Sequence, residues 1–175
     1  NYFRDLVRGW VKNKNKVITI YNGIELKNYE QSLNPKPKTL KTIISAGRLV
    51  PWKGFDFLIN LMKDLPEWNL IIAGDGPERE SLKLKIKNLK LEDKVLLLGQ
   101  IPRDELMRRM TTADIFVLNT SFESFSFQVV EAMSLGLPVV TTNIGNLSEI
   151  IENGMDGILV EPNNKDQFLE AINKL

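Results

Sequence analysis

A regular alternation of apolar runs and amphipathic segments, from residue 41 to residue 175, constrains the fold more than any other feature of this sequence. The apolar runs are short, rich in isoleucine, valine and leucine, and lack the alternating polar positions of a half-exposed strand. Such runs predict strands that are buried on both faces of a sheet. The predicted strands are 41–47, 69–74, 94–99, 114–119, 137–142 and 157–162.

Segments with helical periodicity separate these strands. The predicted helices are 55–65, 78–90, 103–113, 126–135, 146–153 and 165–175. A helix between consecutive strands allows each strand to run parallel to the one before it. We therefore predict an α/β fold, with a doubly wound, Rossmann-like parallel sheet of about six strands and helices on both faces.

The first 40 residues do not share this pattern and are predicted to form a lead-in segment. The stretch "NYFRDLVRGW" (1–10) predicts a short helix, "KVITI" (16–20) a strand, and "NPKPK" (34–38) an exposed linker. We therefore divide the chain into a lead-in helix, strand and linker (1–40) and a Rossmann-like domain (41–175).

Composition excludes several kinds of chemistry. The chain has no cysteine and no histidine, and its formal net charge is +1. Neither a disulfide framework nor a thiolate metal site is possible, so carboxylates, lysine, arginine, hydroxyls and backbone N–H groups must do any chemistry. The near-neutral charge argues against a nucleic-acid partner. No apolar run approaches the ~20 residues of a membrane span.

Two cations follow the first predicted strand. Ligands of open parallel sheets bind beyond the carboxyl ends of the strands, near the point where the strand order reverses. The loop "AGRLVPWKG" (46–54) places Arg48 and Lys53 at such an end, bracketed by Gly47 and Gly54. A planar guanidinium and an ammonium suit a doubly charged anion. The alternative is a pair of surface cations beside a turn.

Two carboxylates mark the helix predicted at 126–135. Glu123 stands just before its start, and Glu131 lies in the middle of an otherwise apolar stretch. A buried charge is costly without a partner. Sugar or ribose hydroxyls would be suitable donors to Glu131, and a structural arginine or lysine inside the fold is the alternative. The hydroxyl of Ser126 or Ser124 is expected to cap the helix, whose first N–H groups form an anion site.

Together these segments resemble the carboxyl-terminal half of a GT-B fold glycosyltransferase of the large retaining family 4 (glycosyl transferases group 1). The resemblance covers nearly the whole chain in the family's order. It is carried by "AGRLVPWKG", "LIIAGDGPERESL", "VLLLGQIPRDELMRRMTTADIFVLNTSFESFSFQVVEAMSLGLPVVTTNIG" and "IIENGMDGILVEP". The paired glutamates at eight-residue spacing, followed by "EAMSLGLPVV", are its most specific part.

The resemblance implies roles for individual residues. Arg48 and Lys53 would neutralise the donor diphosphate as the glycosidic bond breaks, in place of a metal. Glu123 would contact hydroxyls of the transferred sugar, and Glu131 would accept hydrogen bonds from the ribose. Backbone groups would hold the sugar, the β-phosphate and the base. The implied donor-binding residues are Gly47, Gln100, Ile101, Ser124, Phe125, Ser126, Phe127, Gln128 and Glu131.

The sequence departs from the family pattern in two places. It reads "ESFS" (123–126) where the family usually has Glu-Gly-Phe-Gly, and the bulkier serines could alter donor preference. It also reads "GNLSE" (145–149) in place of Gly-Gly-x-x-Glu, which leaves the role of Asn146 open. Gly145 itself is compatible with a close approach to a ligand or with a plain turn.

The resemblance also sets expectations about function. The domain is expected to bind a nucleoside diphosphate sugar for transfer of a hexosyl group to a glycan, lipid or other acceptor, with no metal and no cofactor. The chain starts with Asn1 rather than Met and lacks the amino-terminal acceptor domain, so we expect weak donor binding and little turnover. A cytoplasmic location is expected, with peripheral membrane association of the full-length protein.

Two other functions fit the same residues. A GT-B-type nucleotide-sugar epimerase shares the two-lobed architecture and would convert the donor without an acceptor. A non-catalytic module that binds nucleotide sugars is the second alternative, although all four charged residues of the site are present.

Overall fold

The computed structural model of the protein describes residues 2–20, 22–25, 27, 29 and 40–175, so the linker predicted at 34–38 lies outside the described residues. The strands are β1 (Lys41–Ala46), β2 (Trp68–Ala73), β3 (Val95–Gly99), β4 (Ile115–Leu118), β5 (Val139–Thr142) and β6 (Ile158–Val160). The helices are α1 (Tyr2–Trp10), α2 (Phe55–Leu61), α3 (Arg79–Asn88), α4 (Arg103–Met110), α5 (Phe127–Ser134), α6 (Leu147–Ile150) and α7 (Lys165–Lys174). Every strand and helix predicted between residues 41 and 175 is present. No helix in the described ranges is long and apolar enough to cross a bilayer.

Within the described residues, six strands form one parallel sheet in the order β3-β2-β1-β4-β5-β6. The order reverses at the centre, because β1 pairs with β2 on one side and with β4 on the other. The loops that follow β1 and β4 therefore leave adjacent strands at the same edge of the sheet. This switch point is where ligands of doubly wound sheets bind.

Helices cover both faces of the sheet, as predicted. On β1, the side chain of Ile43 packs into a core with α2, α3 and α7, while that of Ile44 packs into a second core with α4, α5 and α6. Successive residues of a strand point to opposite faces. Two covered faces thus explain why the central strands are apolar at consecutive positions.

The lead-in segment differs from its prediction. The helix α1 confirms the one expected at 1–10, but the strand predicted at 16–20 is wrong. Lys14–Lys16 instead forms a short 3₁₀ turn, and the residues after it are irregular. Ile18 and Ile20 are 76% and 84% exposed, and no described strand pairs with this stretch. Alternating apolar residues form a strand only where a neighbouring strand supplies hydrogen bonds.

Candidate functional site

A groove of about 410 Å³ lies beyond the carboxyl ends of β1, β2 and β3. Its walls come from the loops that follow these strands, from α4 and from the first turn of α5. The lining residues are Ala46, Gly47, Arg48, Ala73, Gly74, Asp75, Gln100, Ile101, Leu106 and Gln128. The groove therefore brings together five of the residues predicted from the sequence, namely Gly47, Arg48, Gln100, Ile101 and Gln128.

Lys53 and Glu123 form an ion pair at the switch point. Lys53 ends the short turn after β1, and its Nζ contacts Oε2 of Glu123 in the loop after β4. The two side chains are only 12% and 10% exposed. The loops are also joined through the backbone, since the carbonyl of Trp52 accepts a hydrogen bond of 2.8 Å from the Ser121 N–H. The fold thus holds the predicted lysine and the first predicted glutamate together.

Arg48 differs from Lys53 in its surroundings. Its side chain is exposed and forms no hydrogen bond or ion pair with any residue that the structure describes. The two cations of the β1 loop are therefore not equivalent. Lys53 is already compensated by a carboxylate, whereas the guanidinium of Arg48 lines the groove with its donors available.

The start of α5 is capped as the sequence predicts. Ser126 is fully buried, and its Oγ accepts a hydrogen bond of 3.4 Å from the backbone N–H of Val129. The capping residue is thus Ser126, and Ser124 is exposed. The N–H groups of Phe127 and Gln128 precede the first hydrogen bonds within the helix and point out of its amino end.

Replacing Ser126 by alanine should lower the free energy of unfolding by about 1 kcal/mol, because α5 loses its cap. Replacement by glycine should lower it by only a few tenths of a kcal/mol, because glycine is itself a favourable capping residue. Urea denaturation of the three proteins measures the difference. Equal losses for both variants would contradict a capping role.

The loop after β5 supports the Glu123 segment. Nδ2 of Asn146 donates a hydrogen bond of 2.6 Å to the Ser124 carbonyl. A Cβ atom at Gly145 would lie 2.7 Å from the carbonyl oxygen of Glu123. The close approach at Gly145 is therefore to the chain's own backbone. Asn146, whose role the sequence left open, braces the loop that carries Glu123.

Glu131 has a cation partner in this structure. The carboxylate is 5% exposed, and its Oε1 accepts a hydrogen bond of 2.6 Å from Nε of Arg103. Arg103 opens α4, and its side chain is 42% exposed. The hydrogen bond to Glu131 raises the pKa of Arg103, because it stabilises the charged guanidinium. The structure therefore shows the alternative that the sequence left open, in which an arginine is the partner of Glu131. Arg103, however, lies at the surface and not inside the fold.

Arg103 was missed by the sequence reasoning, although a local signal exists. A cation in the first turn of a helix opposes the helix dipole and gains little there. Such a residue is expected to have an acidic partner elsewhere in the fold. The buried Glu131 was an available candidate, but the sequence alone does not place the start of α4 beside the middle of α5.

The lead-in segment contacts the same region. The hydroxyl of Tyr29 donates a hydrogen bond of 2.8 Å to Oδ1 of Asp104, the residue after Arg103. This bond raises the pKa of Tyr29 and lowers that of Asp104, because it stabilises the neutral phenol and the ionised carboxylate. The sequence reasoning did not predict either residue.

The predicted charged residues therefore occupy three neighbouring places rather than one cavity. Arg48 lines the groove, Lys53 and Glu123 pair at the switch point, and Glu131 pairs with Arg103. No hydrogen bond or ion pair within the described residues joins Glu131 to Arg48 or Lys53.

A doubly wound parallel sheet with an ion pair at its switch point and a groove next to it defines a Rossmann-like α/β domain, in which this edge of the sheet is the ligand-binding edge. The sequence profile of one family, described as glycosyl transferases group 1, matches residues 9–175. The chain belongs to this family.

Individual relatives agree with this assignment. The chain is 33% identical over 177 residues to the uncharacterized glycosyltransferase MJ1607 of Methanocaldococcus jannaschii, covering 93% of this chain and 45% of that protein. It is 31% identical to an Escherichia coli protein named UDP-Gal:alpha-D-GlcNAc-diphosphoundecaprenol alpha-1,3-galactosyltransferase, covering 90% of this chain and 44% of the relative. The chain thus spans about half the length of these relatives.

A solved structure shows the same architecture. Anabaena Alr3699/HepE, crystallised in complex with UDP and glucose, superimposes with a TM-score of 0.71 at 30% identity. The match covers 78% of this chain and 38% of that one.

Proposed function

We propose that this domain binds the nucleoside diphosphate sugar donor of a retaining glycosyltransferase, for transfer of a hexosyl group to a glycan, lipid or other acceptor. The observation that carries the proposal is the pairing of Lys53 with Glu123 at the switch point, next to a groove lined by Arg48. A nucleoside diphosphate sugar needs cations for its diphosphate and a carboxylate for its sugar hydroxyls, and this edge of the sheet supplies both.

Each charged residue has a proposed task. Arg48 and Lys53 compensate the diphosphate and the charge that develops on it as the sugar leaves, so that no metal is needed. Glu123 accepts hydrogen bonds from sugar hydroxyls once the diphosphate competes for Lys53. The free N–H groups at the start of α5 bind phosphate oxygens. Glu131 accepts from the ribose, and the backbone at Gln100 and Ile101 faces the base.

The comparisons support this proposal. The E. coli relative is named for a UDP-galactose donor, and the Anabaena structure holds UDP and glucose. Membership of a glycosyltransferase family supports transfer over epimerisation. We further propose that a second domain supplies the acceptor contacts, that the complete protein works at the cytoplasmic membrane face, and that this chain alone turns over little donor.

Titration calorimetry with UDP-, GDP- and ADP-sugars tests the proposal. The Glu131→Ala variant tests whether Glu131 accepts a hydrogen bond from the ribose. The variant should bind the nucleotide ~1–2 kcal/mol more weakly, because the ribose loses a charged acceptor. Its thermal unfolding should change little, since Arg103 is 42% exposed and regains water. Glu105→Ala, which removes the carboxylate of the Glu105–Arg109 pair on α4, is the matched control and should bind normally.

The outcomes separate the possible functions. If the wild-type chain binds none of these nucleotide sugars, the donor-binding proposal is wrong. Normal binding by the Glu131→Ala variant, together with a large loss of stability, would instead assign Glu131 a purely structural role.

A further inference from the structure

Arg103 is the cation closest to the candidate ribose acceptor, and nothing in the family resemblance assigns it a role. We propose that Arg103 is a positioning residue, which orients the Glu131 carboxylate so that its second oxygen can accept a hydrogen bond from a ribose hydroxyl. This inference rests on the proposed donor-binding function.

The pair leaves hydrogen-bonding groups on both side chains unused. The hydrogen bond joins Nε of Arg103 to Oε1 of Glu131. Oε2 of the carboxylate and both Nη groups of the guanidinium form no hydrogen bond within the part of the chain that the structure describes. A carboxylate has two acceptor oxygens, so a hydroxyl can bind Oε2 without breaking the ion pair.

The burial of Glu131 argues that the pair persists when a ligand binds. Its side chain is 6% exposed, and a carboxylate in such a place needs a compensating charge. A ribose hydroxyl donates a hydrogen bond but carries no charge. If the hydroxyl displaced Arg103, the protein would keep a buried anion next to a ligand that is itself an anion. Retention of Arg103 avoids this repulsion.

Neighbouring groups keep Arg103 available for this task. Asp104, the adjacent carboxylate, is engaged by the hydroxyl of Tyr29 at 2.8 Å. Tyr29 also packs against the core that contains α4 and α5. The start of α4 is therefore held by two contacts, one from Asp104 to the lead-in segment and one from Arg103 to Glu131. These contacts restrict the conformations that the Arg103 side chain can adopt.

The test measures binding of UDP, GDP and ADP, and separately of inorganic pyrophosphate, by titration calorimetry. For whichever of these nucleotides the wild-type chain binds, the Arg103→Ala variant should show an affinity about three- to tenfold lower. Arg103→Lys should recover part of this loss, because it restores the charge without the planar donor group. Pyrophosphate, which has no ribose, should bind all three proteins equally. Arg108→Ala, an exposed arginine of α4, is the control and should have no effect.

A double-mutant cycle distinguishes positioning from other roles. In the Glu131→Ala background, removal of Arg103 should have no further effect on nucleotide affinity, because Arg103 acts through that carboxylate. Additive losses, or an equal loss of pyrophosphate affinity, would show that Arg103 contacts the ligand itself and would overturn the inference. Tighter binding by Arg103→Ala would overturn it as well, since Arg103 would then be a cover that the ribose displaces.

The same measurements distinguish failure of this inference from failure of the proposed function. If Glu131→Ala weakens nucleotide binding and Arg103→Ala does not, only the positioning role of Arg103 fails. If the wild-type chain binds none of the three nucleotides, the donor-binding function fails and the inference fails with it.

Discussion

Lys53→Ala should weaken the binding of a nucleoside diphosphate sugar by ~2–3 kcal/mol, the largest effect expected for any single residue of the site. The variant removes a cation from the proposed diphosphate position and leaves Glu123, which is 10% exposed, without its partner. The uncompensated carboxylate would then repel the incoming diphosphate. Because Glu123 loses its ion-pair partner, the free energy of unfolding should also fall by ~2 kcal/mol. Calorimetry and urea denaturation measure the two effects.

A double variant separates the contribution of Lys53 to stability from its contribution to binding. Lys53→Met combined with Glu123→Gln leaves no buried charge unpaired, so the free energy of unfolding should return close to that of the wild type. Diphosphate binding should remain weak, because the cation is still absent. Lys63→Ala, at an exposed lysine after α2, should leave both quantities unchanged. Wild-type affinity in Lys53→Ala would exclude Lys53 from the donor site.

Gly54→Ala should lower the free energy of unfolding by ~3 kcal/mol or more, because two effects combine there. Gly54 has a φ of +63°, which disfavours any residue with a Cβ atom. A Cβ at this position would also lie 2.1 Å from the carbonyl oxygen of Asn119, the residue that follows β4. The glycine therefore allows the β1 loop to approach β4 closely enough for Lys53 to reach Glu123.

The chain offers a control that isolates the close contact. Gly136 has a φ of +69°, and a Cβ there would have no atom within 4 Å. Gly136→Ala should therefore cost only the backbone strain, roughly 1–2 kcal/mol. Thermal or urea unfolding of both variants gives the difference. Equal losses would mean that the backbone around Asn119 relaxes, and that close packing at Gly54 is not required.

The part of the fold that follows from local pattern could be predicted from the sequence. Runs such as that of β1 are apolar at consecutive positions because both faces of the sheet are covered, and this signal is readable without coordinates. The stretch at 16–20 shows the limit of the method. Its apolar alternation resembles a strand, yet a strand exists only beside another strand, and no local pattern records that neighbour.

The candidate site was predictable to the extent that it lies in the loops at the strand ends. Lys53 and Glu123 were both identified in this way, but their direct pairing depends on β1 lying next to β4, which the sequence does not state. The partner of Glu131 was missed for the same reason. Arg103 and Glu131 are 28 residues apart in sequence and meet only because α4 and α5 share one face of the sheet.

The hydrogen bond between Ser121 and Trp52, which joins the loops after β4 and β1, uses backbone atoms only. The Ser121 N–H binds the carbonyl of Trp52, and the indole, which is 47% exposed, takes no part in that bond. Every amino acid carries this carbonyl, so the hydrogen bond itself does not depend on the identity of residue 52. A substitution at Trp52 therefore tests the packing of the indole separately from the hydrogen bond that joins the two loops.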